Sequence, residues 1–151
     1  MMRFRIRRSL VLAVAVAAVG CASTRAPTLM VSKLGFEKAG ITGARLRVDF
    51  RVRNPNPEPL DVENFEYELK LNGQRLGRGY QSDGFHLAGF ADRDVSSGFD
   101  LNYLSLPGSV RAILDRDSAK AEVKGKFYVR GDGGNLRALG FKSKADVRIS
   151  R

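Results

Sequence analysis

Little in this chain is suited to covalent chemistry. Its 151 residues include one cysteine, one histidine and no tryptophan. The lone cysteine, Cys21, excludes a disulfide within the chain, so stability has to come from an ordinary core. The lone histidine, His86, excludes a triad built on two histidines and a histidine-rich metal site. No serine stands in a nucleophile-elbow context, so acyl transfer lacks a nucleophile. Asp92 with Asp94, and Asp115 with Asp117, are Asp-x-Asp pairs, but a calcium loop needs more oxygen ligands at fixed offsets. Residues 131–134 are glycine-rich, without the lysine and following helix of a phosphate loop. The expectation is a protein with no catalytic residue, no metal, no cofactor and no small-molecule substrate. A long apolar run is missing too. Residues 10–19 are uninterruptedly apolar, yet as a helix they would rise only about 15 Å, roughly half the bilayer core.

What the N-terminus does contain is an export signal. Arg3, Arg5, Arg7 and Arg8 precede the apolar run, and Ala18-Val19-Gly20-Cys21 closes it with small residues. Charge, short apolar stretch and small-residue cleavage site, in that order, read as a secretory signal over residues 1–20. The cluster resembles a lipobox, the motif of bacterial lipoproteins. Gly20 and Cys21 match it, while Ala18 departs from the commoner leucine. The resemblance implies cleavage between Gly20 and Cys21, with diacylglycerol and a third acyl chain, palmitate or similar, on Cys21 as the only covalent group. Two or more chains anchor a protein stably to a membrane. Ala22 in place of aspartate implies export to the outer membrane, facing the periplasm of a bacterial envelope.

The formal charge is +10, and the four signal arginines account for part of it, leaving +6 after cleavage. An exported, tethered protein seldom meets nucleic acid, so lipid phosphates and lipopolysaccharide are the expected counter-charge.

Residues 21–28 read as a lipidated tether, and about 120 residues remain for one domain. Residues 44–53 alternate five times. Ala44, Leu46, Val48, Phe50 and Val52 are expected inward, and Arg45, Arg47, Asp49, Arg51 and Arg53 outward. Residues 54–59, Asn-Pro-Asn-Pro-Glu-Pro, end that strand. Apolar parity then changes from Leu60 and Val62 to Phe65, Tyr67, Leu69 and Leu71, which requires a bulge near Glu63 and Asn64. Asn72-Gly73 is a hairpin signal, with a returning strand over 74–80. Further strands are expected at 84–87, 95–101, 119–130 and 141–149, and a single helix over 105–115. About seven strands at turn-rich intervals predict an antiparallel β-sandwich.

The ordered series of Val52-Arg-Asn-Pro-Asn56, Phe65-Glu-Tyr-Glu-Leu-Lys-Leu-Asn-Gly73 and Leu76-Gly-Arg-Gly79 resembles the water-stress and hypersensitive-response (WHy) domain. That domain belongs to the group-2 late embryogenesis abundant family. The resemblance covers residues 29–151. It implies a folded immunoglobulin- or fibronectin-III-like sandwich, a link to desiccation and water stress, and no catalytic residues. Asn54, Pro55 and Asn56 match the family's turn, where their expected role is structural.

Glu66 and Glu68 fall on the outward parity of their strand. If that strand pairs with the arginine strand, the two rows neutralise each other. If the proline turn carries the chain to the opposite sheet, Arg45, Arg47, Arg51 and Arg53 stay free for an anionic surface. The leading expectation is a lipid-anchored envelope protein that protects proteins or membranes under water stress. The alternative is an envelope adaptor that docks one specific partner through its domain.

Overall fold

The computed structural model describes residues 23–131 and 133–150. The signal segment 1–20, Cys21 and Ala22 lie outside the described residues. The strands are β1 Thr28–Ala39, β2 Gly43–Arg53, β3 Leu60–Leu71, β4 Gln74–Gln81, β5 Phe85–Leu87, β6 Asp92–Asn102, β7 Ser118–Arg130 and β8 Leu136–Ser150. A 3₁₀ turn at Tyr103–Ser105 and one helix, α1 Gly108–Leu114, lie between β6 and β7. The helix begins just after Pro107 and is shorter at both ends than its apolar spacing indicated. It buries Val110, Ile113 and Leu114.

The all-β expectation holds. Instead of two separate sheets, however, the strands hydrogen-bond into one path, β4-β3-β7-β8-β1-β2-β6, with β5 beside the start of β3. All pairings are antiparallel except a short parallel one, where residues 33–35 of β1 meet 148–150 of β8. The ends of the path nearly meet, because Phe99 of β6 packs where a Cβ on Gly77 of β4 would stand. A sheet with one apolar face must cover that face, and this one does so by curling on itself. The inward sets are those that alternation indicated, and Leu46, Val48, Phe50, Val52, Phe65, Leu69, Leu71 and Phe127 are fully buried. Phe65 lies at ring-centroid distances of 5.7 Å from Phe50, 5.5 Å from Phe127 and 6.5 Å from Phe85. Every buried side chain among the described residues lies between Pro27 and Ile149, so residues 22–151 hold all of the described core.

The parity change in β3 is a real bulge, since pairing with β7 slips between Val62 and Asn64. The hairpin turn takes φ of 47° at Asn72 and 82° at Gly73, the left-handed pair that Asn-Gly adopts at least cost. Tyr67 packs over Gly79, and its hydroxyl and that of Ser97 are buried without a full hydrogen bond. Burial pushes the Tyr67 phenol up to about 12, with Ser97 across the interior tempering the rise.

Gly125 shows how tight the fold is. A Cβ there would strike the Glu66 carbonyl oxygen and come within 2.7 Å of the Phe141 ring. Gly125→Ala is therefore expected to destabilise by about 2–3 kcal/mol, as overpacking against main chain does. Gly108→Ala, where a Cβ meets nothing within 4 Å, should be neutral or slightly stabilising. Urea unfolding of the two variants beside the parent checks both.

Candidate functional site

The arginine row has neither of the two geometries left open by the sequence. β2 lies between β1 and β6, away from β3. β6 runs from Asp92 rather than 95, and its first residues place acids opposite the arginines. Arg45 faces Asp100, Arg51 faces Asp94 and Arg53 faces Asp92. Arg51 donates from Nε and Nη2 to the two oxygens of Asp94 at 2.9 and 3.1 Å. Arg45 reaches Asp100 at 3.3 Å and Glu37 at 3.5 Å, and Arg47 reaches Asp49 at 2.8 Å. Arg45, Arg47, Arg51 and Arg53 thus lie among the carboxylates of Glu37, Asp49, Asp92, Asp94 and Asp100, and their side chains stay about half exposed. The same pairing gives Asp92 and Asp94 their role. Among the described residues no group of three or more acidic, His or Cys side chains could hold a metal. His86 stands opposite Asp61 with Nδ1 2.7 Å from its carboxylate.

Asn54 and Asn56 form a buried node. Asn54 is fully buried, and its Nδ2 donates to the carbonyls of Glu58 at 2.8 Å, Ala88 at 3.2 Å and Leu87 at 3.3 Å. Its Oδ1 accepts from the Asn56 main-chain N–H at 2.9 Å and from Asn56 Nδ2 at 2.9 Å. Asn56 in turn clasps Arg25, accepting its N–H and donating to its carbonyl, each at 2.8 Å. Pro55, between them, is half-buried. The node ties the proline turn, the 87–91 loop and the main chain at Arg25 together.

Uncompensated charge gathers on the opposite wall, the outer face of β4, β3, β7 and β8. Three rows cross it side by side: Arg75, Lys70, Glu122 and Lys144; Arg78, Glu68, Lys124 and Lys142; Tyr80, Glu66, Lys126 and Gly140. Seven cations and three carboxylates leave these rows at +4. They enclose an open groove of about 900 Å³ lined by Glu66, Glu68, Arg78, Tyr80, Lys124, Lys126 and Lys142. Tyr67, Gly79, Gly125 and Phe141 floor it; strand alternation sends their side-chain positions to the other face. Glu68, only 13% exposed, holds Arg75 at 3.2 Å and both Arg78 and Lys124 at 3.5 Å. Tyr128 donates to Glu66 at 3.1 Å. Glu122 takes Lys144 at 3.0 Å and Lys142 at 3.4 Å. Lys126 faces Gly140, which has no side chain, so nothing on β8 answers its charge. Sequence reading did not find this face. Its signal was the outward run Lys120, Lys124, Lys126, Lys142 and Lys144, whose convergence depends on β7 pairing with β8.

The ion pairs set the acid response. Burial raises the Glu68 carboxyl, but Lys124 and Arg75, then hydrogen bonds from Lys124 and Arg78, bring it below its ordinary 4.5. A hydrogen bond from Lys144 chiefly lowers Glu122, and one from Arg51 lowers Asp94. Groups lowered in the folded state contribute stability that is present above their unfolded pKa and is lost as pH falls through the folded one. The melting temperature is therefore expected to hold steady above about pH 5 and to drop below pH 4, and the drop should be shallower in Asp94→Asn. Asn54→Ala, which orphans buried carbonyls and the Asn56 donors, should cost about 3 kcal/mol in urea unfolding.

A search of curated protein sequences finds no match. A family model described as late embryogenesis abundant protein matches residues 49–145. Among solved structures, an Arabidopsis thaliana protein is 12% identical with a TM-score of 0.64, over 90% of each chain. One from Archaeoglobus fulgidus is 18% identical with a TM-score of 0.47, covering 82% of this chain and 95% of its own. A Bacteroides uniformis β-glucuronidase aligns through only 13% of its length, at 12% identity and a TM-score of 0.43, too weak a likeness to bear on activity. The plant structure shows the fold alone. The family model spans well over half of the chain, from the arginine strand through most of β8, and by that match the chain belongs to the late embryogenesis abundant protein family.

Proposed function

We propose that this is a non-enzymatic, lipid-anchored protein of the bacterial envelope whose WHy-type domain stabilises neighbouring proteins or membranes when water is withdrawn. Family membership of a folded domain is the observation that carries this reading. The anchor reading rests on the charged and apolar start of the chain, the Gly20-Cys21 junction and acylation of Cys21; Ala22 supports an outer-membrane, periplasm-facing location. The curled sheet is read as a variant of the immunoglobulin/fibronectin-III sandwich, with its two halves packed across Phe50 and Phe65. In that frame Asn54, Pro55 and Asn56 hold the turn and bind no ligand. No cofactor, nucleic acid or small-molecule substrate enters the mechanism. Clients are engaged by weak, repeated surface contact, for which no assembled reaction centre is needed.

A second reading, an adaptor that docks one envelope partner, is favoured by one observation. β4 and β6 end the hydrogen-bonded path, and strand edges can accept a partner's strand. Crosslinking in cells separates the two, since a single stoichiometric partner supports the adaptor and a diffuse spread supports the protector.

For the leading reading, residues 22–151 are dried with a labile enzyme and rehydrated beside an equal mass of an unrelated β-sandwich. Recovered activity well above that control is the expected result; equal recovery counts against protection. Incorporation of labelled palmitate, abolished in Cys21→Ala, is the expected result for the anchor.

A further inference from the structure

We infer that the groove between the Arg78 and Lys126 rows is a docking face for the phosphate headgroups of an anionic lipid surface. The inference deepens the envelope reading, and it rests on that reading only for where the lipid is met; the chemistry of the face stands without it.

Three observations converge. First, the two walls of the domain handle their cations differently. The arginines of β2 lie among carboxylates, Arg51 in a two-point pair with Asp94, as the planar guanidinium favours. The opposite wall is dominated by lysines, and its three rows leave a surplus of +4 out of the +6 carried by residues 22–151. A lysine ammonium is a compact charge on a flexible stem, suited to phosphates whose positions shift, as they do in a bilayer.

Second, the acids in the groove are already engaged. Glu68 is taken by Arg75, Arg78 and Lys124, and Glu66 accepts from Tyr128. Lys126 has Gly140 on its β8 side and, on its β3 side, Glu66, whose carboxylate also accepts from Tyr128. An arriving anion therefore meets cations that the fold has aligned without fully neutralising them.

Third, the face pairs its lysines with aromatic edges. Tyr80 is 58% exposed at the groove rim, and half-buried Tyr128 lies one row away. Tyrosines with lysines are the combination that settles at a membrane interface, ring toward the acyl boundary and charge toward the phosphates. The groove is open, as contact with a surface requires, and it lies on the side of the barrel. Along β3, Glu66 is about 17 Å from Asp61 at the tether end. The four residue-to-residue steps from Cys21 to Arg25 span up to about 14 Å. The groove thus lies within about 17 Å, along β3, of the end at which a lipid on Cys21 would tether the domain.

The test uses residues 22–151 without lipid, sedimented with vesicles of phosphatidylcholine alone or mixed with phosphatidylglycerol. Lys126→Gln with Lys142→Gln removes two charges from the groove; Arg51→Gln with Arg53→Gln removes two from the arginine wall. Net charge is equal in the two double variants, and matched melting curves establish that both are folded. The expected result is binding to the anionic vesicles alone, about 30-fold weaker in the lysine pair at 0.1 M salt, and within about 3-fold of the parent in the arginine pair. Equal losses in the two pairs would assign binding to overall charge and overturn the inference, as would no binding to anionic vesicles. Inorganic phosphate or polyglutamate competing as well as the vesicles at equal charge concentration would also overturn the membrane as occupant. Because the assay involves neither drying nor acylation, its failure leaves the protective reading intact, and failure of the drying or palmitate experiments leaves this inference intact.

Discussion

Phe65 is the point on which the rest of the domain closes. Its ring meets Phe50 from β2, Phe127 from β7 and Phe85 from β5. β2 and β3 are not neighbours in the sheet, so the contact between Phe50 and Phe65 crosses the interior and joins the two halves of the curled path. Phe65 reaches that position only because the slip between Val62 and Asn64 moves the apolar set of β3 from even to odd residues. Without the bulge, either Leu60 and Val62 or Phe65 to Leu71 would face water. Burial of the three phenylalanines around this centre contributes on the order of a few kcal/mol each.

Curling also decides where charge is free. In a flat sheet all outward rows share one surface. Here the outward rows point away from each other on opposite walls, and the composition of each wall is set by which strands adjoin. Because β6 adjoins β2, aspartates meet arginines. Because β8 adjoins β7, Lys124 meets Lys142, and Glu122, Glu68, Glu66 and Asp146 are the acids that stand among the lysines. The buried node of Asn54 and Asn56 adds orientation. By clasping Arg25 it fixes the path of the chain leading into β1 at that end of the barrel.

Much of this was legible in the residues. Alternation over 44–53 placed every inward side chain of β2, the parity change located the bulge, and Asn72-Gly73 marked its hairpin, each through a property confined to a few neighbouring residues. The limits of β6 and β8 were less legible. Asp92 to Asp94 and residues 136–140 have little apolar alternation, and ladder partners rather than burial make them strands. The single curled sheet in place of two was illegible for a related reason, since alternation shows which face of a strand is buried and does not show what covers it.

The sequence by itself determined the faces: which side chains of each strand turn inward, where the chain bends, and that the protein is all-β with one helix. These follow from the period of two and from the backbone preferences of Pro, Asn and Gly, which act locally. Tertiary structure decided the neighbours. The arginine row meets matching acids and the lysine wall keeps a surplus because of strand order, which brings together residues as distant as Arg45 and Asp100, or Tyr67 and Gly125. Outward side chains contribute too little burial energy to mark their partners in the sequence, so the lysine face emerges only once the core has chosen the order of the strands.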